Sequence, residues 1–399
     1  SGVSRRIRTP VFALLQARID EVRARGAELI PLHIGDTHLA PPESARRALS
    51  ELDPDDAALH RYGETSGLAA LRGAMAEVLR RRGLDVDPQA EVAIGNGGTH
   101  ALHCAARAVL DDGDEVLLAS PYWPLAPGVF TACGAVATEA PLTQRLYEDP
   151  SLDPRALLEP AITPRTRALY FISPNNPDGK VLSLAQLERI AEMALAHDLW
   201  IFSDEVYADT VFDGPGRAPS IASLPGLRER TISLHSLSKS HALAGLRVGF
   251  VTGPAAMIAA ARRVSTHTAY NVSVAMQRAA AAALGDAAFP ATARDAYRAA
   301  RDAAATALAG APVRFHLPEG ATYLFLDFSP AIEPGRERPL YSILERAVDR
   351  GVLLAPGDAF GEGYGGSARL CFTTVPPRQV VDGVERLRDA LEAYMTGRR

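Results

Sequence analysis

Lysine is almost missing from this chain: of 42 basic residues, only Lys180 and Lys239 are lysines, and the rest are arginines. Cysteine is scarce as well. Cys104, Cys133 and Cys371 are odd in number and widely spaced, so neither a disulfide framework nor a zinc site is indicated, and no metal is expected. No apolar run approaches the ~20 residues needed to span a bilayer. The Ala-rich stretch from Ser273 to Phe289 comes closest, and Arg278 and Asp286 interrupt it. The opening Ser-Gly-Val-Ser-Arg-Arg lacks the apolar core of a secretory signal. A formal charge of −5 excludes a strongly basic nucleic-acid binder. These absences together predict a soluble, cytoplasmic protein with neither a membrane nor a nucleic acid as partner.

What is present describes a globular chain. Apolar residues make up 47% and charged residues 22% of the 399 positions, a balance that excludes wholesale disorder. At ~150 residues per domain the length suggests two to three domains, and such a chain buries about three quarters of its unfolded surface without staples. Codon use favouring Arg and Ala accounts for the basic composition as a whole. Arginine replaces lysine wherever only charge is needed, but not where an amine must lose its proton and attack a carbonyl. The two surviving lysines are therefore candidates for covalent chemistry.

Apolar residues at helical spacing (Leu14, Leu15, Ile19, Val22) predict a helix from about Phe12 to Arg25, ended by Gly26. A short apolar segment, Leu29 to Ile34, runs into Gly35-Asp36, and amphipathic helices follow at Glu43–Leu52 and Leu68–Arg82. Short runs rich in Val, Ile and Leu then occur at Glu91–Ile94, Glu115–Ala119, Ala168–Ile172, Trp200–Ser203, Thr231–Leu234 and Val248–Thr252. Helical patterns at His100–Leu110, Leu184–His197 and Pro254–Ser265 lie among them. This alternation predicts an α/β core whose mostly parallel sheet is covered on both faces. Beyond Phe289 the pattern is a helix at Ala291–Leu308, strands near Val313–Leu317 and Thr322–Phe328, a helix at Leu340–Arg350, a strand at Ala368–Phe372 and a helix at Arg378–Thr396. Without strict alternation, this part reads as a smaller α+β domain. The expected division is a large domain at 45–290 and a small one formed by 1–44 and 291–399, with the N-terminal helix packed on the latter.

Five segments at predicted strand ends can carry chemistry. Ser236-Leu-Ser-Lys239 through Arg247-Val-Gly249 places a lysine where α/β folds hold ligands, with a serine and an arginine able to take a phosphate. Read alone, Lys239 is as easily a surface residue. Asp204, in Ser203-Asp-Glu-Val-Tyr207, is a carboxylate at a strand end in an apolar core. It needs a partner such as a protonated heterocyclic nitrogen, unless it simply caps a turn. Gly95-Asn-Gly97-Gly98-Thr99 opens a helix whose free N–H groups suit phosphate, but it matches neither G-x-G-x-x-G nor a P-loop. Trp123 follows another strand and can stack on a planar ring or pack in the core. The loop Ser173-Pro-Asn-Asn176-Pro-Asp-Gly179-Lys180 can aim an Asn side chain at a ligand. Lys180, just past that loop, reads as a solvated surface residue. A planar ring with a basic nitrogen, a phosphate and a carbonyl open to capture by lysine meets all five needs at once, and pyridoxal 5′-phosphate has all three.

At these segments the sequence resembles the class I/II aminotransferases of the aspartate aminotransferase fold, the fold type I pyridoxal-phosphate enzymes, over essentially the whole chain. The resemblance implies a three-layer α/β/α large domain with a mostly parallel sheet and a smaller α+β domain. It implies that Lys239 forms the internal aldimine and shuttles a proton, that Asp204 pairs with the ring nitrogen, and that Tyr207 and Asn176 bond the ring oxygen. Trp123 would stack on the ring, and Gly98, Thr99, Ser236 and Arg247 would bind the phosphate. Tyr62, in Arg61-Tyr-Gly-Glu-Thr-Ser-Gly67, resembles the tyrosine that reaches the phosphate of a neighbouring subunit, which implies a homodimer. Arg369, in Ser-Ala-Arg-Leu-Cys-Phe, matches the clamp for the substrate α-carboxylate, helped by Asn176 and the Gly35 backbone. The implied activity moves the amino group of an L-amino acid to a 2-oxo acid.

Two segments depart from the family pattern. The loop reads Asn-Pro-Asp-Gly where Thr or Leu is usual in place of Asp, and Gly35-Asp36-Thr37-His38-Leu39 replaces Gly-x-Pro, at a place expected to line the substrate entrance. The region Ser265–Tyr270 offers only His267 and Tyr270 where dicarboxylate-specific members carry an arginine, so aspartate and glutamate are not expected as primary donors. The alternatives are a lyase, cyclase or other Cβ/Cγ-modifying enzyme on the same fold, a non-catalytic effector-binding domain fused to a DNA-binding module, and, for want of the glycine fingerprint least of all, a nicotinamide dehydrogenase.

Overall fold

The computed structural model of the protein describes residues 2–7, 13–332 and 338–397. Near-continuous apolar runs form a seven-stranded sheet from β1 (Val92–Asn96), β2 (Glu115–Ser120), β3 (Val136–Pro141), β4 (Thr166–Ile172), β5 (Trp200–Asp204), β6 (Thr231–Ser236) and β7 (Val248–Thr252). The strand order is β1-β7-β6-β5-β4-β2-β3. Only β7 runs against its neighbours.

Side chains alternate across each strand, and both faces are apolar. Tyr170 pairs with Phe202 and Ile172 with Asp204 across β4 and β5. Tyr170, Ile172 and Phe202 join one core with Ala101, Ala105 and Phe130. Leu169, Phe171 and Ile201, one residue out of phase, pack on the other face with Leu187 and Ile190. The sheet is therefore the middle of three layers, as its unbroken hydrophobic runs require.

A second core lies outside this sheet. Leu15, Ile19 and Val22 of the helix Ala13–Ala24 pack with Tyr297 and Ala300 of the helix Phe289–Ala307. They meet Ile343 and Leu344 of the helix Pro339–Asp349 and Val384 and Leu387 of the helix Pro377–Met395. These helices cover an antiparallel sheet of β8 (Tyr323–Asp327), β9 (Ala355–Pro356) and β10 (Ser367–Cys371), ordered β8-β10-β9. Gly26, at φ +76, follows the N-terminal helix as a left-handed terminator. Phe12, expected to begin that helix, lies outside the described residues.

Some elements differ from expectation. The Val313–Leu317 strand is reduced to one bridge between Arg314 and Asp327, because Pro312 and Pro318 on either side bring no N–H to a ladder. Strand β3 was not expected. It is an edge strand, partly exposed along most of its length, so no apolar run marks it. Within Ser273–Phe289 the chain forms a helix over Val274–Gly285, and no helix among the described residues is long and apolar enough to cross a membrane.

Candidate active site

The carboxyl ends of the parallel strands open on one cleft of about 310 Å³, the place where open α/β sheets bind ligands. Its lining includes Gly35, Gly98, Thr99, Trp123, Asn176, Asp204, Tyr207, Ser236, Lys239, Arg247 and Arg369. Eleven of the twelve residues singled out from sequence thus meet here. The twelfth, Tyr62, stands apart at 85% exposure, its ring edge-on to Tyr270 at 4.9 Å.

Asp204 closes β5 and is buried. The Tyr170 hydroxyl donates to its Oδ2 at 2.8 Å and the Val206 N–H to its Oδ1 at 3.2 Å. Among the described residues it has no cationic partner. Burial pushes its carboxyl up to about 7, against the pull of these two hydrogen bonds. Next along the chain, the Tyr207 hydroxyl lies 2.7 Å from that of Tyr323, and burial, reinforced by Tyr323, raises its phenol well above the ordinary tyrosine range.

Lys239 sits in the short helix Leu237–Ser240 that follows β6. Its Nζ donates to the carbonyl of Gly35, and its own carbonyl accepts from Tyr297 Oη at 3.0 Å. A Cβ at Gly35 would occupy the space of the Tyr323 hydroxyl. A glycine there is what lets the two backbones and the lysine converge.

Another part of the cleft lining suits an anion. Gly97, at φ +79, opens the helix Gly97–Val109, whose N-cap Asn96 makes no side-chain cap bond. The first-turn N–H groups, including those of Gly98 and Thr99, are therefore uncapped by a side chain, and the helix dipole adds partial positive charge. Arg247 is held in the left-handed region at φ 54, and a Cβ on Gly97 would fall on its guanidinium. Ser236 completes this part. It accepts from Ser238 N at 3.1 Å and donates to Ser238 Oγ at 2.9 Å.

Arg369, on β10, is 6% exposed. Its Nη1 donates to Asn176 Oδ1 and its Nη2 to the His33 carbonyl, each at 2.8 Å. The guanidinium lies over the rings of Tyr323 (4.3 Å) and Phe360 (5.0 Å), while Nε has no protein partner. No carboxylate among the described residues pairs with it. His33 is driven down to about 4 by burial and the Arg369 charge, so it stays neutral beside the guanidinium. The cleft thus carries a buried carboxyl group lacking a cation to hold it ionised and a buried cation lacking an anion. Each is costly until something fills the space and supplies the opposite charge.

The unusual Asp178 does not line this cleft. Its carboxylate, fully buried, accepts from Thr143 Oγ1 (2.6 Å), Gln144 Nε2 (2.8 Å), Asn175 Nδ2 (2.9 Å) and Lys180 N (3.1 Å). It fixes the loop that presents Asn176. Lys180 corrects the expectation of a solvated lysine: it is 6% exposed, pairs with Glu319 at 2.6 Å and lies 4.7 Å from the Tyr147 ring centre. Its partners stand 33 and more positions away in sequence, which is why local reading misplaced it. Asp36 lies in the lining, in the segment expected at the substrate entrance, whereas sequence reading missed Ser238 and Tyr323 there and Tyr170 behind Asp204. Ser238, beside Lys239 in a segment already singled out, was within reach. Tyr323 and Tyr170 read only as strand residues.

Residues 27–387 match the family model described as aminotransferase class I and II. The chain belongs to that family and is an aminotransferase. It is 37% identical over 379 residues to the arginine–pyruvate transaminase of Pseudomonas aeruginosa, covering 94% of this chain and 90% of that protein. It is 34% identical to a probable aspartate/prephenate aminotransferase of Thermus aquaticus over 98% of both. Among solved structures, a double mutant of Thermus thermophilus aspartate aminotransferase superposes with a TM-score of 0.87 at 31% identity, over 98% of this chain and 99% of that one. The three-layer α/β architecture expected from sequence is that of this fold, and none of these relatives is named a lyase, a cyclase or a dehydrogenase.

Proposed function

We propose that this cleft holds pyridoxal 5′-phosphate and moves the amino group of an L-amino acid to a 2-oxo acid. The observation that carries the reading is a pair of buried ionisable groups without counter-charges, Asp204 and Arg369, in one cleft with the Lys239 amine. A pyridine nitrogen answers the first and an amino-acid carboxylate the second. The open helix start at Gly97, with Arg247 and Ser236 beside it, suits the phosphate.

Bound there, the cofactor supplies an electron sink that lets the Cα–H bond of an amino acid break as a proton. Asp204 holds a proton at the ring nitrogen: at ~4 Å and an effective dielectric of about 20 the gross attraction is roughly 4 kcal/mol. Tyr207 and Asn176 bond the ring oxygen and Trp123 stacks on the ring face. Gly98, Thr99, Ser236 and Arg247 hold the phosphate. Arg369 grips the α-carboxylate with the two arms of its guanidinium, helped by Asn176 and the Gly35 backbone, and so aligns the Cα–H bond. Lys239 anchors the cofactor, then takes the Cα proton and returns it.

Tyr62 belongs to the phosphate site of a second copy of the chain. Its 85% exposure beside Tyr270 supports a homodimer contact there. The division into a large unit at 45–290 and a small unit at 1–44 and 291–399 is supported by the separate core of the second sheet and the N-terminal helix.

With Arg247 and Arg369 given to phosphate and α-carboxylate and Lys239 to the cofactor, the cleft lining of this chain holds no further cation, and its remaining charge is Asp36. Donors with neutral or basic side chains fit this balance better than aspartate or glutamate, and the resemblance to an arginine–pyruvate transaminase agrees. The test is a donor panel against the cofactor-loaded protein, followed by its absorbance. Arginine or neutral amino acids should bleach the lysine-bound chromophore and, with pyruvate, regenerate it. Failure of every amino acid to bleach it, or release of ammonia without amino transfer, would overturn the reading.

A further inference from the structure

We propose that Tyr170 is a positioning residue for the cofactor, acting through Asp204. This rests on the assignment of Asp204 to the ring nitrogen. Tyr170 lies in the interior of β4, paired with Phe202 of β5, and Asp204 stands two residues further along β5 on the same face. That diagonal spacing, ~7–8 Å between neighbouring positions on one sheet face, is within reach of a tyrosine side chain. The ring is fully buried and braced edge-on by Phe130 at 5.5 Å. Among the described residues its hydroxyl has one partner, Asp204 Oδ2, at 2.8 Å.

The consequence is chemical as well as steric. A hydroxyl aimed at a carboxylate favours the charged form, as the Val206 N–H does, while burial and the neighbouring Glu205 work against it, with no cation among the described residues to offset them. Tyr170 leaves the second Asp204 oxygen with only the Val206 N–H, so that the carboxylate keeps accepting capacity toward the cleft. It cannot donate to the cofactor itself, since it sits behind the carboxylate and does not line the cleft. A phenylalanine would fill the same apolar space, but without the hydroxyl the carboxylate would be free to rotate and to take up a proton.

The test is a double-mutant cycle on cofactor affinity, read by the fluorescence of cofactor-free protein titrated with pyridoxal 5′-phosphate. Tyr170→Phe should weaken binding about tenfold or more, the scale of one hydrogen bond to a charged group. It should change nothing further in an Asp204→Asn background, and the unfolding midpoint of the cofactor-free protein should show that the ring still packs. Equal losses in both backgrounds, or no loss in the native one, would overturn the role of Tyr170 while leaving the Asp204 assignment standing. No loss from Asp204→Asn alone would overturn both.

Discussion

The hydroxyls of Tyr207 and Tyr323 lie 2.7 Å apart, one just past β5 of the large sheet and the other at the start of β8 of the small one. The Tyr323 ring also supports the Arg369 guanidinium at 4.3 Å. The groups proposed for the cofactor's ring oxygen and for the substrate carboxylate therefore lean on the same tyrosine, and their spacing depends on it.

Gly35 is the weak point of that arrangement. A Cβ there collides with the Tyr323 hydroxyl, with the next ring atom at 3.1 Å. Gly35→Ala should cost about 1–3 kcal/mol of stability, as over-packing does, and lower kcat/KM. Tyr323→Phe should be milder, and adding it to Gly35→Ala should recover much of the loss because the hydroxyl is the first atom struck. Urea unfolding of the three variants decides this. No recovery in the double variant would mean that the clash lies elsewhere.

How far the sequence announced this site differs from residue to residue. Lys239, Asp204, Asn176 and the Gly97–Thr99 turn were legible because each follows an apolar strand, and strand ends converge in a parallel sheet. Arg369 was legible through family resemblance alone. Tyr170 and Tyr323 were not, since inside an apolar run a tyrosine reads as core, and its hydroxyl partner is fixed by register across strands. The fold followed the same rule: β4 and β5 are marked by unbroken apolar runs, whereas the edge strand β3 is partly exposed and carries no such mark.

The two lysines should separate cleanly. Borohydride reduction of the cofactor-loaded protein should fix the cofactor on the Lys239 peptide and leave Lys180 unlabelled. Lys180→Ala should lose the Glu319 pair and the Tyr147 contact, about 1–2 kcal/mol of stability for a partly exposed pair with a cation–π contact. It should still take the label. Peptide mass analysis after digestion reads the outcome, and a labelled Lys180 would contradict its buried, paired setting.

Asp178 is expected to support a loop and not to select a substrate. Asp178→Ala strands the Thr143 hydroxyl, the Gln144 amide and the Lys180 N–H without their acceptor and removes one of the Asn175 bonds, and should destabilise the protein by about 2–4 kcal/mol. Because Asn175 precedes the Asn176 that steadies Arg369, KM should rise for every donor by a similar factor. A change in the order of preference among donors would instead place Asp178 at the substrate.

Arg369→Lys keeps the charge and removes the fork. Lysine cannot hold Asn176 and the His33 carbonyl while meeting a carboxylate with two parallel bonds. The loss should be about a hundredfold in kcat/KM, the equivalent of roughly 2.7 kcal/mol. Steady-state rates with one good donor, and cofactor affinity measured beside them, give the result. An equal fall in cofactor affinity would show that the guanidinium serves the cofactor more than the substrate.

Asp204 makes the cofactor-free protein pH-sensitive in a definite direction. Burial lifts its carboxyl from an ordinary 3.8 to about 7 in the folded chain. The folded state therefore holds the proton more tightly than the unfolded one, and this contribution to stability is full below pH 4 and lost as pH rises through about 7. Between pH 5 and 7 the loss is about 2 kcal/mol, because the slope of ~1.36 kcal/mol per unit flattens as pH nears the folded value. Glu205 and Asp178, also raised by burial, push the same way. Asp204→Asn cannot titrate, so its stability should fall less over that range than that of the native chain, while the contributions of Glu205 and Asp178 persist in both. Urea unfolding of the two cofactor-free proteins at pH 5 and pH 7 measures the difference. Parallel declines would mean that Asp204 stays ionised throughout and that its buried charge has a partner already.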